Sequence, residues 1–273
     1  MVGIPIALVV AAAVTVPVFG PESADPRAGS DTSVTTALRE RAPVDLSRPF
    51  ADTPAAKWGE DIMVPPAVPL GRYPAEVVGA AMTAVRQLII TARLDRHVLE
   101  TYDAEPVLAL LAPHQADEAR KLLQSGNDAE TWWITTKIAP GFRLLPVPPR
   151  VAGSMTPALD GEGELVIRTN YLIAYAFHTD DPERLDGPLD IVAVDRREAD
   201  YIWVDDARYD AGSQGIYYGD VRGHAYAVNC ALHHKGFLAP DYSNPPAGFA
   251  APDPRDPADY FDPDAPLPIE SGC

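Results

Sequence analysis

Two cysteines, four lysines and none of the familiar catalytic signatures bound what this chain of 273 residues can be. Gly-x-Ser-x-Gly is missing, since Gly212-Ser213-Gln214-Gly215 has the wrong spacing. His-Glu-x-x-His, a phosphate loop ending in Lys-Ser or Lys-Thr, and Gly-x-Gly-x-x-Gly are missing too. The usual supports for a hydrolase, metalloprotease, nucleotide or dinucleotide enzyme are therefore lacking, and no motif implies a cofactor. Positive charge is scarce as well. Lys+Arg total 22 against 39 Asp+Glu, a formal net charge of −17, and such a polyanion repels nucleic acid rather than neutralising its phosphates. With 47% hydrophobic and 22% charged residues, the chain is neither wholly disordered nor a polytopic membrane protein.

What is abundant is proline, 29 residues crowded toward the two ends. The first segment, Ile4 to Phe19, is uncharged and is followed by polar residues. Its length falls between a signal-peptide core of about 7 to 15 residues and a membrane span of about 17 to 25. Cleavage after Val18-Phe19-Gly20 would put Pro21 behind the scissile bond, which favours an uncleaved anchor at residues 1–20, with secretion after cleavage as the alternative. No cysteine lies nearby, which excludes a lipid-modified lipoprotein, and only the N-terminal amine can serve as inside charge unless the true start lies upstream. Residues 21–57 read as a Pro/Ser/Thr linker and residues 244–273 as an acidic, proline-rich tail around Tyr260 and Phe261. The tail's Asp256, Asp259, Asp262 and Asp264 lack the glycine turn and glutamate spacing of an EF-hand. In an exported chain Cys230 and Cys273 most simply form one disulfide, worth about 3 to 4 kcal/mol in the chain-entropy model, against the alternative of a buried Cys230 and a free terminal thiol.

Between these ends, residues 58–243 carry regular periodicity. Tyr73 to Leu94 predicts an amphipathic helix with Val78, Met82, Val85 and Ile89 on one stripe. Asp103 is placed to cap a second helix through Leu111, and Pro113 to open a third that Gly126 stops. After Trp132 the period changes to two. Leu165, Ile167, Thr169, Tyr171, Ile173, Tyr175 and Phe177 form one face of a long strand, paired across Gly161 and Gly163 with a segment around Arg150 to Met155. Leu189 to Val194 and Asp200 to Asp205 predict two further strands separated by a charged turn, Asp195-Arg196-Arg197-Glu198. Ile216 to Val228 suggests another pair about Gly219 or Gly223. Helices followed by strands mean an α+β fold, helices on one face of a curved antiparallel sheet.

That order, with Tyr201-Ile202-Trp203-Val204-Asp205-Asp206 closing a strand, resembles the NTF2-like (cystatin-like) cone over Tyr73 to Tyr209. The wider arrangement resembles uncharacterised membrane-anchored or secreted proteins of actinobacteria: the apolar first segment, PPAVPLGRYP at 65–74, WWITTKIA at 132–139 and CALHHKGFLAPDYS at 230–243. Eighteen arginines against Lys57, Lys121, Lys137 and Lys235 fit GC-rich coding. The resemblance implies a place in the cell envelope and brings no activity with it.

Three groups of residues have chemistry to offer. His224, Cys230, His233 and His234 are borderline-soft ligands, but adjacent histidines rarely aim at one ion and a disulfide would consume Cys230, so no metal is expected. Asp205, Asp206, Asp210 and Asp220 gather near the last strands, where Asp205, or His178 beyond the long strand, would serve as general base if buried in a cone. Trp132, Trp133, Tyr171, Tyr175 and Trp203 are candidates to line an apolar pocket, or simply core. The expectation is a non-enzymatic domain, membrane-tethered and extracytoplasmic, that binds an envelope protein, a peptide or a small ligand. The alternative is a small-pocket isomerase or hydrolase of NTF2-like form using Asp205 or His178.

Overall fold

The computed structural model describes residues 44–244 and 257–267. The expected anchor at 1–20, most of the linker and Cys273 lie outside the described residues. Cys230 is disulfide-bonded.

The helical half begins where the sequence places it. Helix α1, Ala75–Arg93, starts behind Pro74, whose fixed φ suits a helix entrance, with Glu76 in the first turn and Arg93 in the last, each complementing the helix dipole. Its stripe Val78, Ala81, Met82, Val85 and Leu88 is buried to 1% exposure or less. The helix is long and apolar enough to cross a membrane, but that stripe packs on the sheet, as a core helix does. Helix α2, Arg96–Thr101, which the sequence reading missed, begins at Asp95, whose carboxylate accepts from the His97 amide, and ends at Tyr102 with φ of 64°. Asp103 does not start a helix running to Leu111. It accepts from the Glu105 amide ahead of a single turn, α3, Glu105–Leu108. Pro113 opens α4, Pro113–Gln124.

Four strands then run up and down in the order β1-β2-β3-β4, every pair antiparallel. They are β1, Arg150–Leu159, β2, Leu165–Ala176, β3, Val192–Val204, and β4, Gly215–Tyr226. The β1–β2 turn is tied by Asp160, whose Oδ1 accepts from the Glu162 and Glu164 amides. A last turn of helix, α5, Cys230–His233, follows β4. The architecture is α+β around a four-stranded antiparallel sheet.

Two sequence expectations fail at the strands. The run Asp195-Arg196-Arg197-Glu198 is not a turn: β3 passes straight through it, pairing Asp195 with Ile173 and Ala225 and Arg197 with Tyr171 and Gly223. A polar run reads as a turn when the chain is assumed to meet water, and here both faces of the strand are covered. Residues 216–226 lie on one strand rather than two, because Gly219 and Gly223 sit where neighbouring atoms approach closely instead of at a reversal. Ahead of the sheet, the stretch from Trp132 to Pro149 is irregular. Its amides are spent on other partners, Thr136 on the Ala92 carbonyl at the end of α1 and Ile138 on the Leu99 carbonyl.

The two faces of the sheet are closed by different parts of the chain. The odd-numbered face of β2, with Leu165, Ile167, Ile173 and Tyr175 at 1% exposure or less, packs against the helices. At about 1.5–3 kcal/mol for each large apolar side chain removed from water, this face dominates the stability of the core. The even-numbered face, with Leu172, Ala174, Val192 and Val194, is covered by Phe50 and Ala55 from one end of the chain and Tyr260 and Phe261 from the other. Residues 44–57, read from composition as the end of the linker, and residues 257–265, read as a solvated tail, are therefore packed. Tyr260 stacks on Tyr226 with ring centroids 4.0 Å apart, and Phe261 meets Trp58 at 5.7 Å. Arg196 donates to the Ala265 and Pro263 carbonyls at 2.6 and 2.8 Å, and Asn170 to the Pro263 carbonyl at 2.6 Å. Proline-rich segments form no ladder of their own, but their free carbonyls are good acceptors for an arginine fork.

Phe261→Ala should cost about 3 kcal/mol, the usual loss for emptying a buried aromatic site. Urea unfolding of the full chain, followed by tryptophan fluorescence, measures it, and a cost below about 0.5 kcal/mol would mean that the 257–265 strap is not part of the core.

Candidate functional site

Strand period puts Ala193, Asp195, Arg197, Ala199 and Tyr201 on the helix-facing side of β3. Two of these five are charged, and Asp195 is 1% exposed. Arg197 Nη2 lies 3.0 Å from Asp195 Oδ1. The contact is ionic rather than a well-aligned hydrogen bond, since Oδ1 is buried without a hydrogen-bond partner, as is Arg197 Nε. The Arg197 guanidinium stands 4.5 Å from the centre of the Trp132 ring, a cation–π distance. Gly223 lies against both, since an added Cβ there would come within 2.1 Å of Arg197 Nη1 and 3.1 Å of the Trp132 ring. Glycine is needed there for close approach rather than for a turn.

A second arginine lies behind this couple. Arg93, buried at the end of α1, donates through Nη1 to the Trp132 carbonyl and to Thr136 Oγ1, both at 3.1 Å. Thr136 Oγ1 in turn reaches Asp195 Oδ2 at 3.4 Å. Tyr175, fully buried, donates its hydroxyl to the Arg93 carbonyl at 2.8 Å. Lys137, 5% exposed, is held by Asp128 and by Thr131 Oγ1. Two buried cations, Arg93 and Lys137, and the partly buried Arg197 thus face Asp195 and the partly exposed Asp128 in a chain whose net charge is −17. Burial lowers the Arg197 pKa, Asp195 opposes the shift, and Arg93 adds to it.

These groups open on a cavity of about 220 Å³, lined among others by Trp132, Thr136, Lys137, Asp195, Arg197 and the α5 histidines His233 and His234. The charged floor comes from β3 and the back wall from the 131–138 segment. The mouth comes from the 230–238 hairpin, fixed by the reciprocal backbone bonds of Ala139 and Lys137 with Leu238.

The sequence candidates distribute unevenly around this site. Trp132 lines the cavity, and with Trp133 and Tyr218 it also lines a shallow cleft beside it. Tyr171 and Tyr175 are core, and Trp203 lies partly buried at the far end of β3. His224 shares no site with His233 and His234: it faces the opposite side of β4, stacked on Tyr260 at 5.5 Å. Among the described residues no group of three or more metal-ligating side chains gathers. His178 follows β2 and Asp205 follows β3, so antiparallel pairing puts them at opposite ends of the sheet. That separation is on the order of 35 Å for a strand of this length. His178 bonds the exposed Asp180 at 2.9 Å. Asp205 is exposed, Asp206 is held down to about 2 chiefly by hydrogen bonding to Arg208, and Asp210 caps the 211–213 turn. Asp220 lines an open polar groove on the other face.

Ser213, His114 and Asp210 do meet, with Ser213 Oγ 3.3 Å from His114 Nδ1 and 3.2 Å from Asp210 Oδ2. His114 Nε2 is 4.0 Å from Asp210, both side chains are more than half exposed, and the serine is bonded to the carboxylate itself. That order does not activate a nucleophile, and the trio reads as a clasp between α4 and the β3–β4 loop. The sequence signal for the true cavity was present in the four consecutive charged residues 195–198, two of them arginines. It was missed because a strand with both faces buried is not expected to carry charge.

No protein-family model, curated protein or solved structure matches the chain.

Burial lowers the His233 pKa from its ordinary 6.5; Asp195 opposes the shift, and Arg197 and His234 add to it. The folded state therefore favours neutral imidazole. This contribution to stability is present above about pH 6.5 and is lost as the pH falls through the lowered value. His233→Asn should shrink the drop in Tm between about pH 7.5 and about pH 5.5 seen for the unaltered chain. An unchanged drop, followed by circular dichroism, would assign the pH dependence to other histidines.

Proposed function

We propose that this chain is a non-enzymatic binding protein of the bacterial cell envelope, an NTF2-like domain of actinobacterial type held outside the membrane by its N-terminal segment, with a small ligand in the Arg197 cavity. The observation that carries the binding role is the cavity itself, about 220 Å³ walled by Trp132 and floored by a partly buried, incompletely hydrogen-bonded arginine. A purely structural ion pair is better served by filled donors, because unpaired buried charge is expensive. The envelope address rests on the uncharged run Ile4 to Phe19 and on an oxidised cysteine, since disulfides persist outside the cytoplasm. The non-enzymatic role is supported by the placement of His178 and Asp205, at opposite ends of the sheet and with Asp205 exposed.

His234 is exposed at the cavity mouth, so His234→Trp should close the mouth without disturbing the core. Chain purified from envelopes and weighed by nondenaturing mass spectrometry should retain a small molecule that the variant lacks. Protease added to intact cells should degrade the domain. Retention of nothing by either protein would overturn the binding role, and protection from protease in intact but not lysed cells would overturn the address.

A further inference from the structure

Resting on the cavity reading above, we infer that the ligand is a compact monocarboxylate with a flat apolar body, its carboxylate taken by Arg197. Charge sets the headgroup. Arg93, Arg197 and Lys137 outnumber Asp195 and Asp128 by one, and Arg93 spends its donors on the neutral acceptors Trp132 O, Trp133 O and Thr136 Oγ1. One unit of positive charge in a largely buried site is best balanced by one negative charge. A dianion such as phosphate would leave a charge uncompensated after losing its hydration. Geometry sets the contact. The guanidinium is a planar fork suited to carboxylate. Arg197 stands over the Trp132 ring and close against Gly223, fixed by one ionic contact to Asp195, with its Nε unpartnered. An arginine so positioned loses little rotamer freedom on taking a ligand.

The walls set the body. Trp132, Phe237 and Leu238 line the same cavity as the charged floor, which offers a planar molecule apolar and aromatic surface. The volume of about 220 Å³ lies below the roughly 300–1,000 Å³ of pockets for drug-sized ligands, which suits a single substituted ring. His233 at the mouth, held toward its neutral form by burial, adds a donor without adding charge.

The probes that test this are benzoate, its neutral isostere benzamide, and inorganic phosphate, each titrated into the full chain by calorimetry. Benzoate should bind saturably, with benzamide and phosphate at least about tenfold weaker, a difference of about 1.4 kcal/mol. Arg197→Lys keeps the charge but loses the fork, and Gly223→Ala keeps the arginine but pushes it off its seat. Each should weaken benzoate by about tenfold or more while melting cooperatively. Benzamide binding as tightly as benzoate, benzoate binding unchanged in both folded variants, or no saturable benzoate binding would each overturn the carboxylate assignment. If benzamide matches benzoate and His234→Trp abolishes both, the cavity still binds ligands and only their charge was misassigned. If no probe binds and the purified chain carries nothing, the cavity reading falls too.

Discussion

Two adjacent arginines in the middle of β3 organise this molecule. Side chains alternate along a strand, so Arg196 and Arg197 must point to opposite faces of the sheet, and each is the polar centre of what covers its face. Arg196 gathers the carbonyls of Pro263 and Ala265 and brings the C-terminal strap across the outer side. Arg197, beside Asp195, sits beneath the 131–138 segment and the cavity. The sheet is therefore a partition between two polar anchors one residue apart, with the apolar clusters of the helix face and the strap face arranged around them.

The energetic logic of the two anchors differs. Arg196 donates to neutral carbonyls and to Glu198, and so converts an otherwise unladdered, proline-rich segment into a packed layer. Its role is to satisfy backbone groups that cannot satisfy one another. Arg197 is satisfied only in part, with an ionic contact to Asp195, an aromatic face at Trp132 and an Nε without a partner. An apolar residue in its place would often cost nothing in stability.

The sequence made some of this legible. The 3.6-residue stripe of α1 and the two-residue alternation of β2 were visible because each buries one coherent face and repeats long enough to exceed noise. The capping proline at Pro113 and the turn glycines before β2 behaved locally, and local rules sufficed for them. What could not be read was anything that depended on which parts of the chain cover which face. Asp195 to Glu198 looked like a turn because a charged run implies water, and the water had been displaced by segments some 60 residues away in each direction. Tyr260 and Phe261 looked solvated because eight prolines surround them, yet prolines forbid only regular structure, not burial. The site was missed for the same reason: its residues come from α1, the irregular 131–138 segment, β3, β4 and the 230–238 hairpin, and no two contributions are neighbours in a motif.

The arrangement also ties the two ends of the domain to its centre. The 230–238 hairpin that forms the cavity mouth is pinned by Asn229, which donates to the Ser243 carbonyl, and by the paired backbone bonds of Leu238 with Lys137 and Ala139. On the other face the strap returns to β3 through Arg196. Rigid walls around an incompletely satisfied cation reduce the ordering cost of taking a ligand.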